Sequence, residues 1–455
     1  MLFFNFLDLP AVLTSVLAEV PAEEVAPLVL AGVLLSLMVV YLASKLGGEL
    51  SKLMGLPPVL GELISGVLVG VSALHLLVFP EAGVEASSSV LMGTLQTLMG
   101  TPAETLNQVF QTQGEIISVL AELGVIILLF EIGLESDLKE LQKVGYQAAI
   151  VAVVGVVAPF ALGTFGLMAL FNVDALPAIF AGAALTATSI GITSKVLSEL
   201  GQLRSREGQI IVGAAVMDDV LGIIVLAVVA SLAKTGDVSI INVVTLIASA
   251  SGFLLGAILV GRGFNSVFGT IADRLQTRGK LVIPALTIAL SQAFLAQVVH
   301  LEAILGAFAA GLVLDETDQR KELDRQIIPI ADVLVPIFFV TVGARVDLSV
   351  LNPLYPENRP GLVIAAFLIV VAIIGKTITG WAVFGKEPVN RLAVGVGMIP
   401  RGEVGLVFAG IGAASGTLDR PLQAAIIAMV ILTTLVAPLL LRWAFRDEEV
   451  VEPVV

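Results

Sequence analysis

A chain of 455 residues that is 57% hydrophobic and 14% charged, with a mean hydropathy of +1.02, carries more apolar surface than a soluble domain can hide. It reads as an all-α polytopic membrane protein. The net charge of −14 and a pI near 4.7 exclude nucleic acid as a partner, which needs basic patches. The lack of Cys excludes disulfides, thiolate metal sites and cysteine nucleophiles, and two His are too few for a His-rich metal site.

The N-terminal run MLFFNFLDLPAVLTSVLAEV has no Lys or Arg ahead of its apolar residues, so it does not read as a signal peptide. Hydropathy then predicts about thirteen transmembrane helices: 26–48, 58–79, 115–134, 145–171, 176–198, 208–232, 240–260, 280–298, 301–315, 326–343, 361–385, 391–415 and 420–443. The longest connection, 80–114, has no Lys or Arg and is rich in Ser, Thr, Gln and Glu. It is expected to be a solvated external cap with a short surface helix. The short tail after Trp443 is expected to hold no nucleotide-binding domain.

Orientation follows from the basic residues. Of 24 Lys and Arg, 18 fall in loops and span ends on one side and 4 on the other, which puts the C-terminus in the cytoplasm and the N-terminus outside. The remaining two, Lys376 and Arg401, lie inside spans.

Within 208–232 the only charges are the adjacent Asp218 and Asp219. An acid at mid-membrane costs about 2.5 to 3.5 kcal/mol on insertion scales, so such residues face a protein interior or a water cavity and mark ion or proton pathways. Counted inward from the cytoplasmic span ends, Asp218, Ser189, Lys376 and Arg401 all lie roughly 13 to 15 Å deep. Four spans thus bring polar groups to one layer. Neighbours on a helix are about 100° apart, so the two Asp cannot address one ligand alike. One can hold a cation while the other meets Lys376, whose buried ammonium also needs compensation.

Two spans carry interruptions, LTATSIGITS at 185–194 and GVGMIPRGE at 395–403. Glycine weakens a helix, and Pro400 removes a backbone donor. Broken helices at corresponding places in two halves point to a transporter's binding site, and their spacing allows spans two to six and nine to thirteen to form inverted five-helix repeats. Blander roles stand beside these: Thr186 and Thr193 can bond to their own backbone, and Arg401 with Glu403 can compensate the ends of a broken helix. Glu62 and Glu131, near cytoplasmic span ends, are either interfacially solvated or line a funnel. His75 and His300, near external ends, read as structural.

With these residues in place, the chain resembles the bacterial Na+/H+ exchangers of the second cation/proton antiporter family. The resembling motifs are VLGELISGVLVG (59–70), LLFEIGLESDL (128–138), ALTATSIGITSKVL (184–197), VGAAVMDDVLG (212–222), ILGAFAAGLVL (304–314), PIFFVTVGARVDL (336–348), Lys376 and GMIPRGEVGLV (397–407). The resemblance implies two inverted five-helix repeats with crossed discontinuous helices. It implies an ion-translocating core at 145–232 and 361–443, and panel, dimerisation and linker helices at 26–134 and 240–343. It makes Asp219 the cation and proton carrier, makes Asp218 the partner of Lys376, and puts Thr188 and Ser189 beside the Na+. The paired Asp implies electrogenic exchange, whereas Asn-Asp relatives are electroneutral and Gln-Asp relatives are often potassium-efflux systems. The chain departs from the family pattern in its 80–114 loop and at Val71, where Pro commonly follows the Gly.

The expected function is exchange of Na+ or Li+ for H+ by a homodimer, with no cofactor, in a cell inner membrane or an internal one such as a thylakoid. The alternative on the same machinery is K+/H+ exchange. An intramembrane aspartyl protease is the remote alternative, because its two carboxylates must face each other to share a proton, and here they are neighbours on one helix.

Overall fold

The computed structural model describes residues 22–446, apart from 81–83, 236–240, 242, most of 251–273, 353, 355–357 and 386–387. The described residues are helical, with no strands. Of the expected span at 240–260, residues 241, 243–250, 252, 253 and 256 are described and helical; the N-terminal run and the tail beyond Arg446 lie outside the described residues. Among the described residues seven helices are long and apolar enough to cross a membrane; shorter apolar helices accompany them, among them Ala175–Ala184, half of an interrupted span. The protein is a multi-pass integral membrane protein.

The chain divides into two compact units. The first comprises 1–125 and 332–349, the second 126–331 and 350–455. Unit one holds α1 (Ala22–Leu53), α2 (Pro58–Val69), α3 (Val90–Met99), most of α4 (Ala103–Glu135) and the C-terminal half of α11 (Arg320–Ala344). Pro58 opens α2 at a position where a missing N–H costs nothing. Gly70 closes α2, so the expected span 58–79 is helical only to Val69, and Leu76 and Leu77 fold back to donate to the Val69 carbonyl at 2.9 and 2.8 Å. His75 holds the turn in the left-handed region at φ 52°, and His300 holds a similar turn at φ 63°.

The expected solvated cap is more helical and more buried than its composition suggests. Ser89 caps α3 by accepting from Met92 N–H, and α4 begins at Ala103, twelve residues ahead of the expected 115. Leu91, Met92, Leu95, Leu106, Val109 and Phe110 all join the core of this unit. Their apolar residues recur at helical spacing, and that periodicity outweighs the polar residues between them.

Unit two holds α5 (Leu138–Phe171), α6 (Ala175–Ala184), α7 (Ile190–Glu199), α8 (Arg206–Thr235), α9 (Val282–Val298), α10 (Ala303–Asp315), α12 (Asn358–Thr377), α13 (Arg391–Gly397), α14 (Glu403–Ala414) and α15 (Arg420–Ala444). Asp137, Asn390 and Asp419 each cap the helix that follows with a side-chain oxygen. A core of small and aromatic side chains, Phe180, Ala181, Ala184, Ala372, Phe408 and Met429 among them, joins α6, α12, α14 and α15.

The repeats are visible in one detail. In unit one a Cβ on Gly66 of α2 would lie 2.9 Å from the Gly343 Cα of α11, and the reverse distance is also 2.9 Å. In unit two the corresponding distances between Gly133 of α4 and Gly311 of α10 are 2.9 and 2.8 Å. Each crossing is backbone on backbone, the closest approach two membrane helices make. The flanking sequences match across repeats, SGVLVG with AGLVL and GLESDL with GARVDL.

Candidate ion-binding site

Both spans are interrupted within the motifs that mark them; the second break holds Pro400 and Gly402, whereas the first, Leu185–Ser189, holds neither glycine nor proline. The first breaks between Ala184 and Ile190, the second between Gly397 and Glu403. The freed peptide groups are satisfied largely by the other strand of the crossing. Ser189 N–H donates to the Pro400 carbonyl at 2.8 Å, Thr188 Oγ1 to Met398 O at 3.1 Å and Thr193 Oγ1 to Gly397 O at 3.0 Å. Thr186 Oγ1 turns back to Ala183 O at 2.8 Å. Of the two threonines with a possible backbone role, Thr186 therefore bonds locally and Thr193 reaches across.

Arg401, fully buried, spends one nitrogen on the break: Nη1 donates to the Ala187 carbonyl at 2.6 Å and lies 3.3 Å from that of Thr186. Its charge thereby compensates carbonyls that point out of the interrupted helix. Thr434 of α15 places its hydroxyl 2.6 Å from the Arg401 carbonyl and 2.7 Å from that of Val430. Gly402 leaves room beside the crossing, since a Cβ there would lie 3.2 Å from Ser189 Oγ.

Helix α8 runs unbroken past this joint with Asp218 and Asp219 buried. Lys376 stands in the last turn of α12, where the helix dipole favours a cation. Its Nζ donates to Asp218 Oδ2 at 2.9 Å, with both side chains wholly inaccessible. Gly155 of α5 makes space for the ammonium: a Cβ there would come within 3.3 Å of Nζ. Asp219 lies close enough for its charge to act on Lys376 as well. Two acids and two bases thus share one buried neighbourhood, and a further cation entering it adds uncompensated charge unless a proton leaves.

Asp218, Lys376, Arg401, Thr188 and Ser189 all belong to this neighbourhood of unit two. Glu62 does not: it sits in unit one, where Ser44 Oγ donates to it at 2.9 Å. Glu131 is buried on α4. Glu403 opens α14, but its side chain lies outside the described residues. Thr193, Thr434 and Gly155 belong to the site without having been singled out for it. A hydroxyl that bonds its own helix and one that bonds a distant strand have the same local sequence, so no periodic signal separates them.

A model of the transmembrane sodium/hydrogen exchanger family matches residues 32–447. The chain belongs to that family. This exchanger is 62% identical over 437 residues to the High-affinity Na(+)/H(+) antiporter NhaS3 of Synechocystis sp., covering 96% of this chain and 94% of the relative. It is 31% identical to the Na(+)/H(+)-K(+) antiporter GerN of Bacillus cereus, covering 90% and 95%. Among solved structures it resembles the sodium proton antiporter MjNhaP1 from Methanocaldococcus jannaschii, with a TM-score of 0.60 at 16% identity over 92% of this chain and 98% of that one. That likeness establishes the exchanger's fold.

Proposed function

We propose that this exchanger is a secondary active transporter trading Na+, or Li+, for H+ by alternating access. The observation that carries the reading is the Lys376–Asp218 pair buried beside Asp219 at the crossing of two broken helices. Asp219 is the site where cation and proton compete: Na+ binds the ionised carboxylate, with oxygens of Thr188 and Ser189 completing its shell, and protonation releases it. Asp218 serves Lys376. Arg401, together with Glu403, compensates the broken-helix ends.

More than one H+ moves per Na+, because two carboxylates and an ammonium share one buried layer. The panel helices, 26–134 and 240–343, form a homodimer contact, and 145–232 with 361–443 form the moving core. The basic residues place the C-terminus in the cytoplasm and the N-terminus outside, in a cell inner membrane or an internal one such as a thylakoid. The printed name of the Bacillus cereus relative includes K+, which keeps K+/H+ exchange as the second reading. Proton efflux from proteoliposomes driven by Na+, Li+ and K+ side by side tests both. Flux with Na+ and Li+ but not K+ supports the first, flux with K+ alone the second, and no cation-dependent proton flux overturns exchange.

A further inference from the structure

Arg401 uses a fraction of what a guanidinium offers. Nη1 serves the carbonyls of Ala187 and Thr186, while Nε and Nη2 are buried with no hydrogen-bond partner among the described residues. Those two nitrogens form the edge that matches a carboxylate with two parallel bonds. Leaving charged donors unmade in a dry interior is costly, and a native protein that does so calls for a reason. Asp218 has the complementary surplus: Oδ2 takes the Lys376 ammonium, and Oδ1 is buried without a hydrogen-bond partner among the described residues.

The two lie on facing surfaces. Asp218 and Gly222 are four residues apart and share one face of α8. A Cβ on Gly222 would lie 3.6 Å from the Ala187 Cβ, and the Ala187 carbonyl is the one Arg401 grips at 2.6 Å. The face that presents Asp218 is therefore the face laid against the peptide that Arg401 holds. The Asp218 charge also acts on Arg401 as well as on Lys376.

We propose that the Nε–Nη2 edge of Arg401 is a second seat for Asp218, taken when the carboxylate parts from Lys376. Arg401 is then a positioning residue with two duties, one permanent on the broken helix and one that alternates. The purpose assigned to it rests on the exchange reading above: Lys376 is freed to change its protonation without leaving Asp218 uncompensated, because a carboxylate stripped of its only buried cation is far less stable than one that changes partners.

The test uses the purified full-length protein in Na+-free buffer. Melting temperatures are compared for Asp218→Asn, Arg401→Lys and the double variant, first with Lys376 present and then in Lys376→Gln. Lysine at 401 keeps a donor for the carbonyls and loses the planar fork. With Lys376 present the two substitutions should add. In Lys376→Gln they should be coupled, the Arg401→Lys loss shrinking by about 2 °C or more once Asp218 is Asn. Additivity in both backgrounds, or equal coupling in both, overturns the proposal. If the combined variants do not fold, a structure of Lys376→Gln alone decides: Asp218 should lie about 3 Å from Arg401 Nε and Nη2, and a carboxylate still turned to position 376 overturns it. Neither measurement involves transport, so failure here leaves Na+/H+ exchange standing, and absent flux leaves the seat standing.

Discussion

Asp218 and Asp219 are neighbours in the chain with different company, and their substitutions should differ accordingly. Asp219→Asn removes the carboxylate on which cation and proton compete, so Na+-driven proton flux should disappear while the protein still inserts and melts cooperatively; flux within a few-fold of wild type removes Asp219 from that role. Lys376→Ala leaves Asp218 without its 2.9 Å partner. A buried pair broken with nothing to replace the lost partner costs about 3 to 5 kcal/mol; a carboxylate that reseats on Arg401 should cost less than that, and the loss should be smaller still when Asp218 is already Asn. A cycle with additive losses in thermal unfolding shows that the two side chains do not interact energetically. The need for such a pair was readable from residue types and depth alone, since neither an acid nor an ammonium rests alone in a membrane interior. The room made by Gly155 was not readable, because a glycine opposite a lysine and a glycine opposite lipid have the same sequence context.

At the scale of elements, the crossing is held by bonds between two interrupted helices, and threonines of the same local setting contribute unequally. Thr193→Val deprives the Gly397 carbonyl of its 3.0 Å donor, whereas Thr186→Val removes a bond within its own turn. An unmet buried acceptor costs about 1 to 3 kcal/mol, so Thr193→Val should lower thermal stability more, and equal losses would contradict the difference in partners. The second break was legible, since glycine and Pro400 weaken a helix wherever they stand; the first, over Leu185–Ser189, is marked only by its run of Thr and Ser. The 80–114 segment reads as a loop because polar residues at the surface of a helix look like those of a loop, while Leu106, Val109 and Phe110, spaced along one face, are what bury it. The glycine crossings offer a sharper test. Gly66→Leu and Gly311→Leu each force a side chain onto facing backbone, and both should abolish recovery of folded protein, whereas Leu at Gly93, which has nothing within 4 Å of its Cβ position, should be tolerated.

For the molecule as a whole, the charge layout predicts a response to voltage. If cation entry displaces more than one proton, each cycle moves net charge, and the membrane potential does work of about 2.3 kcal/mol per charge per 100 mV. An imposed potential should then build a Na+ gradient in proteoliposomes with no pH difference, and exchange indifferent to potential means one-for-one stoichiometry. The paired glycine crossings have a consequence measured in seconds of synthesis. Gly66 leaves the ribosome about 280 residues before Gly343, and at about 5–20 residues per second it waits on the order of half a minute for the backbone it packs against. During that interval the early helices must persist in the bilayer with their closest-packing faces turned to lipid or to a chaperoning partner. Nascent chains halted before residue 320 should therefore be cleared much faster by membrane proteases than chains halted after residue 349, and the threshold should fall where α11 becomes available.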